Sequence, residues 1–251
     1  MKNDLHYKLI DPEDTISDFV ERFWILQNTS SINKEIIVIP DGRIDLIFTL
    51  SPKELFRVAL IGLETVPSQH IIDSGTIMFG VSLKLLSVEY LIHTEISSLI
   101  NGIQLFPNDY WGITENDLVD FELFCDKISK RIKKQINSEI YDRKKKLFEL
   151  IYSSNGSMTI KELSEQVSWS SRQINRYFNQ HFGLSLKSFC KILRFRASFQ
   201  QIKQGKLFPE QNFSDQAHFI KEVKKLAGVT PKELFKNQND RFLQLSTMAK
   251  R

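Results

Sequence analysis

The hydrophobic period of this chain changes once, and that change bounds what each half can fold into. Up to Leu83 the apolar side chains come in short β-branched and aromatic runs bounded by turn residues. These are Phe19–Leu26, Glu35–Ile39, Arg43–Phe48, Arg57–Ile61 and Thr76–Leu83. Runs of this length and composition predict strands. Pro40-Asp41-Gly42 joins the second and third runs, and its turn chemistry predicts a β-hairpin. From about Leu86 to Leu105 the spacing suits short helices. From Asp117 to about Tyr152 it is helical, with Leu118, Phe121, Phe124, Ile128 and Ile132 three to four apart. Two basic runs fall there, Lys130-Arg131 with Lys133-Lys134, and Arg143 to Lys146. They read as a solvated helix face or as a coiled-coil-like dimer contact.

Ser153-Ser154-Asn155-Gly156-Ser157 is small, polar and glycine-containing, which marks a linker. The expected organisation is an α+β domain at 1–115, with a small antiparallel sheet plus helices. A helical connector follows at 116–154, an all-α domain at 155–240 and a C-terminal tail at 241–251. Charge follows the same division. Residues 1–150 hold 17 Lys+Arg against 23 Asp+Glu, a net −6, and residues 151–251 hold 17 against 7, a net +10. A basic segment joined to an acidic one is expected of a polyanion-binding domain on a partner domain.

Other classes fare worse. No run of about 18 apolar residues suggests a membrane span. The start, Met1-Lys2-Asn3-Asp4, lacks the pattern of a signal peptide, so the cytoplasm is the expected compartment. Cys125 and Cys190 form no C-x-x-C, which speaks against a disulfide framework or a cysteine metal site. No P-loop, G-x-G-x-x-G, H-E-x-x-H or G-x-S-x-G occurs, and the five histidines show no ligand spacing. The chain is expected not to be an enzyme and to need no cofactor or metal.

After the linker, local chemistry predicts two short helices and a tight turn. Thr159 with Glu162 forms a capping box, and Ile160, Leu163 and Val167 share one apolar face. That helix ends near Ser168-Trp169-Ser170. Ser170 or Ser171 caps the next, which runs to about Phe182, with Ile174, Tyr177 and Phe178 inward and Gly183 at its C-terminal cap. In a helix-turn-helix the first helix braces the second, whose outer side enters the DNA major groove. Here that side offers Ser171, Arg172, Gln173, Asn175 and Arg176. Arg can bond guanine through two donors, and Asn or Gln can do the same with adenine. The same residues also suit an ordinary solvated helix.

The motif residues resemble the AraC/XylS family of bacterial transcription regulators. The match runs through Ile160-x-x-Leu163, Ser170-x-x-x-Ile174-x-Arg176-x-Phe178, Phe182-Gly183-Leu184-Ser185 and Arg194-Phe195-Arg196-Ala197. It is closest over Phe213 to Glu222 and Lys224 to Glu233, which include Asp215-Gln216, His218-Phe219 and Gly228-Val229-Thr230-Pro231. The resemblance covers about residues 155–238. It implies two helix-turn-helix units joined by a long helix, here about Leu186 to Ile202, with readers in successive major grooves about 34 Å apart. The first reader would present Ser171, Arg172, Asn175 and Arg176 to bases, and the second Gln216, Ala217, His218 and Lys221. Lys187, Arg194, Arg196 and Lys224 would meet phosphate. His218 also reads as a buried or capping histidine. The segment Lys206–Ser214 departs from the family's pattern: it is about one helical turn short, with Pro209 available as a first helical residue.

Ile39 to Phe48, Gly62 and Phe79-Gly80 resemble a small domain often found before such DNA-binding regions, although Leu83-Lys84-Leu85-Leu86 stands where Phe-Lys-Pro-Gly is usual. In the wider family such domains bind a small effector, dimerise, or both. Asp41, Arg43 and Asp45 read as a turn with a solvent-facing strand edge, or as part of an effector pocket. The implied partner is double-stranded DNA, with RNA polymerase, a small-molecule effector and a second copy of the chain as further candidates, and no membrane. The alternative function is an interaction or adaptor protein that keeps the fold and binds DNA weakly or without specificity. Some DNA-repair alkyltransferases join an AraC-like region to a reactive cysteine, but neither Cys125 nor Cys190 has a nucleophile's motif.

Overall fold

A computed structural model describes residues 4–136, 142–210, 213–237 and 241–247. Its strands are β1 (Leu5–Ile10), β2 (Val20–Asn28), β3 (Lys34–Val38), β4 (Ile44–Leu50), β5 (Arg57–Ile61), β6 (Ser68–Ile72), β7 (Ile77–Leu83) and β8 (Ile103–Phe106). The α-helices are α1 (Phe121–Gln135), α2 (Asp142–Ser153), α3 (Ile160–Val167), α4 (Ser171–Phe182), α5 (Leu186–Ala197), α6 (Phe199–Lys203), α7 (Gln216–Ala227), α8 (Pro231–Lys236) and α9 (Leu243–Ser246). An antiparallel sheet followed by a helical region is the fold class the two hydrophobic periods predict. The chain forms two compact units. One comprises 1–34, 43–62 and 71–141, and the other 35–42, 63–70 and 142–251. The stretch 116–154 is therefore shared, α1 lying in the first unit and α2 in the second. Part of it, 137–141, lies outside the described residues, as do Met1–Asn3 and 248–251.

The first unit is built on one sheet of order β1-β2-β7-β4-β5-β8. Its pairings are antiparallel, with Phe48 opposite Phe79 and Leu46 opposite Val81. Alternation sends Phe23, Leu46, Phe48, Val58, Leu60, Phe79 and Val81 to a buried face. Helix α1 contributes Phe121 and Phe124 to the same core, the Phe124 ring lying 5.3 Å from Phe48 and 5.1 Å from Phe79. Asp120 caps α1 by accepting from the backbone N–H of Glu122 and Leu123. The basic run on α1 is a solvated face: Lys130, Arg131, Lys133 and Lys134 are all exposed, and Lys133 pairs with Glu13.

On the sheet's other face Trp24 lies flat over Gly80. A Cβ at Gly80 would stand 2.0 Å from the indole, so no larger residue fits without displacing the ring. The indole N–H donates to Asp45 at 3.0 Å, and the Ser82 hydroxyl donates to the same oxygen at 2.5 Å. Asp45 is thus half-buried and tied across three strands, not on a solvent-facing edge.

Two expectations fail here. The predicted hairpin across Pro40-Asp41-Gly42 does not form, because β4 pairs with β5 and β7 while β3 pairs with β6. Gly42 does turn the chain, with φ at +79°, but against α5, where a Cβ would meet Leu193 at 3.0 Å and Phe189 at 3.2 Å. Nonlocal strand pairing overrides the local turn signal. The stretch 86–105 holds short helical turns at Val88–Ile92 and Ser97–Leu99, but it ends in strand β8, paired to β5.

In the second unit the four helices α2 to α5 close around Phe148, Phe178, Phe182 and Phe189, all buried. Another core gathers Ile39, Ile192, Phe195, Phe199, Ile202, Phe219, Val223, Leu234, Phe242 and Leu245. The segment expected as a C-terminal tail thus supplies two of these residues. The long linking helix expected over 186–202 is two helices, α5 and α6. They meet at buried Ser198, whose hydroxyl donates to the Phe195 carbonyl.

Candidate nucleic-acid interface

Local capping fixes the first helix-turn-helix. Thr159 and Glu162 form the expected box, in which the Glu162 carboxylate accepts from the Thr159 N–H at 2.7 Å. That bond, together with the Thr159 hydroxyl, holds the Glu162 carboxyl below its ordinary 4.5. Helix α3 stops at Ser168, which is left-handed with φ at +51°. Ser170 then caps α4, its N–H donating to Gln173 Oε1 at 2.9 Å while its hydroxyl oxygen accepts from the Gln173 N–H. The Gln173 side-chain oxygen is engaged in this cap, although the residue is exposed. Leu163 and Val167 of α3, with Ile174, Tyr177 and Phe178 of α4, are buried, and Gly183 ends α4. A Lys144 ammonium from α2 lies 5.3 Å from the Tyr177 ring.

What remains outward on α4 is polar and cationic. Arg172 and Arg176 are exposed and four residues apart, while Ser171 and Asn175 are half-buried beside them. Asn179 is exposed one turn beyond Asn175 and extends the same face. The i+4 spacing from Asn175 was a readable signal for it.

Helix α7 is the second candidate reader. Asp215 caps it, accepting from the His218 N–H at 2.8 Å. Gln216, Ala217, Lys221 and Lys224 are exposed, and so is Ile220, which sequence reading missed. Ala217, Ile220, Lys221 and Lys224 form one stripe at helical spacing. His218 belongs to the cap: its Nδ1 lies 3.1 Å from the Ser214 hydroxyl, its ring meets Phe213 edge-on, and its Nε2 is 3.9 Å from Glu222. Glu222 is buried and accepts from Lys191 of α5 at 3.1 Å, an ion pair that ties α7 to α5. Between Gly205 and Asp215 no residue among those described is helical. The scaffold helix expected to start at Pro209 would run through 211 and 212, which lie outside the described residues.

The four residues assigned to phosphate divide. Lys187, in the first turn of α5, and Lys224 on α7 are exposed. Arg194 is half-buried and donates to the Gly156 carbonyl at 2.7 Å, fastening the linker turn to α5. Burial pushes the Arg196 guanidinium down to about 10. Both cysteines are buried, and that burial pushes the Cys125 thiol up to about 12 and the Cys190 thiol up to about 11. Among the described residues no group of three or more His, Cys, Asp and Glu could hold a metal ion, and no helix is long and apolar enough to cross a membrane.

Helices α3 and α4 have the order and capping that the AraC/XylS resemblance implies for a first helix-turn-helix, whereas the linking helix is broken at Ser198 and no described residue between Gly205 and Asp215 is helical. Residues 8–103 match the model of a family described as a domain of unknown function, DUF6597. That span begins in β1 and ends at the start of β8. No curated protein matches the chain. Among solved structures, it is similar to ToxT from Vibrio cholerae at 14% identity and a TM-score of 0.43, over 93% of this chain and 98% of that one. A second structure of ToxT from that organism, bound to an unsaturated fatty acid, is similar at 16% identity and a TM-score of 0.42, over 96% and 98%.

Proposed function

We propose that this chain is a sequence-specific transcription regulator that binds double-stranded DNA, with α4 as its principal reader. The carrying observation is the outer face of α4, where Arg172, Asn175 and Arg176 stand together while Gln173 is held in the cap. Arg and Asn are the side chains that bond purine edges through two atoms, and the major groove admits one such helix. Helix α7 offers one residue of that kind, Gln216. Ala217 and Ile220 suit thymine methyl groups, and Lys221 and Lys224 suit phosphate. Base discrimination therefore rests mainly on α4, and α7 mainly grips. Lys187 takes a phosphate role, whereas Arg194 and Arg196 are left to structural ones.

The test is a selection from random duplex DNA with the full chain at near-physiological salt. Two enriched blocks about one helical turn, roughly 10 base pairs, apart would mean that both helices read. One block would mean that α7 only holds the backbone. Salt-sensitive binding with no enriched sequence would favour the adaptor reading with weak, non-specific DNA binding.

A further inference from the structure

We infer that residues 35–42 and 63–70, drawn from the N-terminal part of the sequence, brace the second reading helix and stand in for the scaffold helix of a complete helix-turn-helix. The functional consequence rests on the DNA-binding reading above; the brace itself does not.

A reading helix needs a partner behind it, or its outer face has no fixed direction. Helix α3 does this for α4. Behind α7, the described residues between Gly205 and Asp215 are not helical. Instead, the buried side of α7, Phe219, Val223, Leu226 and Ala227, shares one core with Phe195 of α5, Ile202 of α6, Leu234 of α8 and fully buried Ile39, and Ile37 and Phe213 pack against that core. At the far end of α7, Pro67 abuts Gly228, where an added Cβ would lie 3.3 Å from the proline ring.

Backbone bonds hold the segment there. The Ile37 N–H donates to the Arg241 carbonyl at 2.6 Å, in a parallel bridge to Phe242. The side-chain amide of Gln244 satisfies both backbone groups of Ile39, accepting from its N–H at 3.1 Å and donating to its carbonyl at 2.8 Å. One amide thus replaces a neighbouring strand for a residue with no solvent exposure. Helix α9, which carries Gln244, is held in turn by Lys203 of α6, whose ammonium donates to the Leu245 carbonyl at 2.8 Å. The chain of support runs from α6 through α9 to Ile39 and the core under α7. Gln244 and Ile39 are accordingly positioning residues for α7.

The experiment compares the full-length chain with its Gln244→Ala variant by amide hydrogen exchange. Leaving both backbone groups of Ile39 unpaired should speed exchange across α7 by about tenfold and leave α4 within about twofold. The milder Ile39→Val change should act in the same direction, about threefold, and guards against outright unfolding of the first variant. On the selected DNA, Gln244→Ala should lower affinity and the log–log salt slope, as losing the Lys221 and Lys224 phosphate contacts would, and leave discrimination at the α4 block unchanged. Unchanged α7 exchange in both variants, or equal acceleration of α4 and α7, would overturn the brace. Altered α7 exchange in a chain that selects no DNA sequence would keep the brace and reject the DNA-reading function.

Discussion

Arg176 and Lys187 separate the two kinds of DNA contact. If Arg176 bonds a base edge through two donors, Arg176→Ala should cost about 1–3 kcal/mol at one base-pair position and little elsewhere. Lys187→Ala should weaken every duplex alike and lower the log–log salt slope by about 1. Affinities measured across single-base variants at several salt concentrations check both, and uniform weakening by Arg176→Ala would remove it as a reader. In the first unit, Gly80→Ala forces Trp24 off its seat and breaks the indole bond to Asp45, so thermal unfolding should show a loss of about 1–3 kcal/mol or more. The thiols test the rival enzyme class. With Cys190 raised to about 11 and Cys125 to about 12, a native chain at pH 8 should react with a disulfide reagent only as fast as it opens. Rapid labelling of either would contradict that burial.

Single caps set the readers' geometry at the scale of the element, and they are what the sequence displays most openly. Thr159 with Glu162 and Gly183 after α4 could be named unaided, and the cap ahead of α4 narrowed to Ser170 or Ser171, because a cap is satisfied within three or four residues. Ser170→Ala should cost about 1 kcal/mol and fray the first turn of α4, which carries Ser171 and Arg172; exchange of those amides is the check. The box at α3 also responds to acid, as does the one at α8, where the Thr230 N–H donates to the Glu233 carboxylate at 2.8 Å. Bonds from the Thr159 and Thr230 N–H groups lower the Glu162 and Glu233 carboxyls below 4.5. Each box therefore contributes fully above the unfolded value and loses its contribution as pH falls through the lowered folded one. Circular dichroism should show helix loss beginning below about pH 4.5, and replacing Glu162 and Glu233 together with Gln should flatten that onset. Strand pairing was less legible. Pro40-Asp41-Gly42 does make a turn, but nothing within ten residues says that β3 pairs with β6 and β4 with β7.

The least legible feature belongs to the molecule as a whole: the second unit draws residues from 35–42, 63–70 and 142–251. Apolar periodicity marks Ile39 as buried but cannot say against what, since Gln244 lies 205 residues away. The linker at Ser153–Ser157 is likewise real as a turn, with Asn155 and Gly156 at positive φ, yet the second unit extends to its N-terminal side through α2. Phe148 and Ile151 of α2 are buried. A fragment of 155–251 would therefore lose α2 and Ile39 together. It would expose Phe178, Phe182 and Phe189 on one side and leave the Gln244 amide without its partner on the other. Lengthening the fragment to 142–251 should restore cooperative unfolding around α4, because α2, α3 and α5 then close its core. It should leave α7 poorly protected, because Ile39 is still missing. Hydrogen exchange on the two fragments and the full chain should rank α4 as low, high and high, and α7 as low, low and high. Full protection of α7 in 142–251 would show that α5, α6, α8 and α9 suffice to hold it.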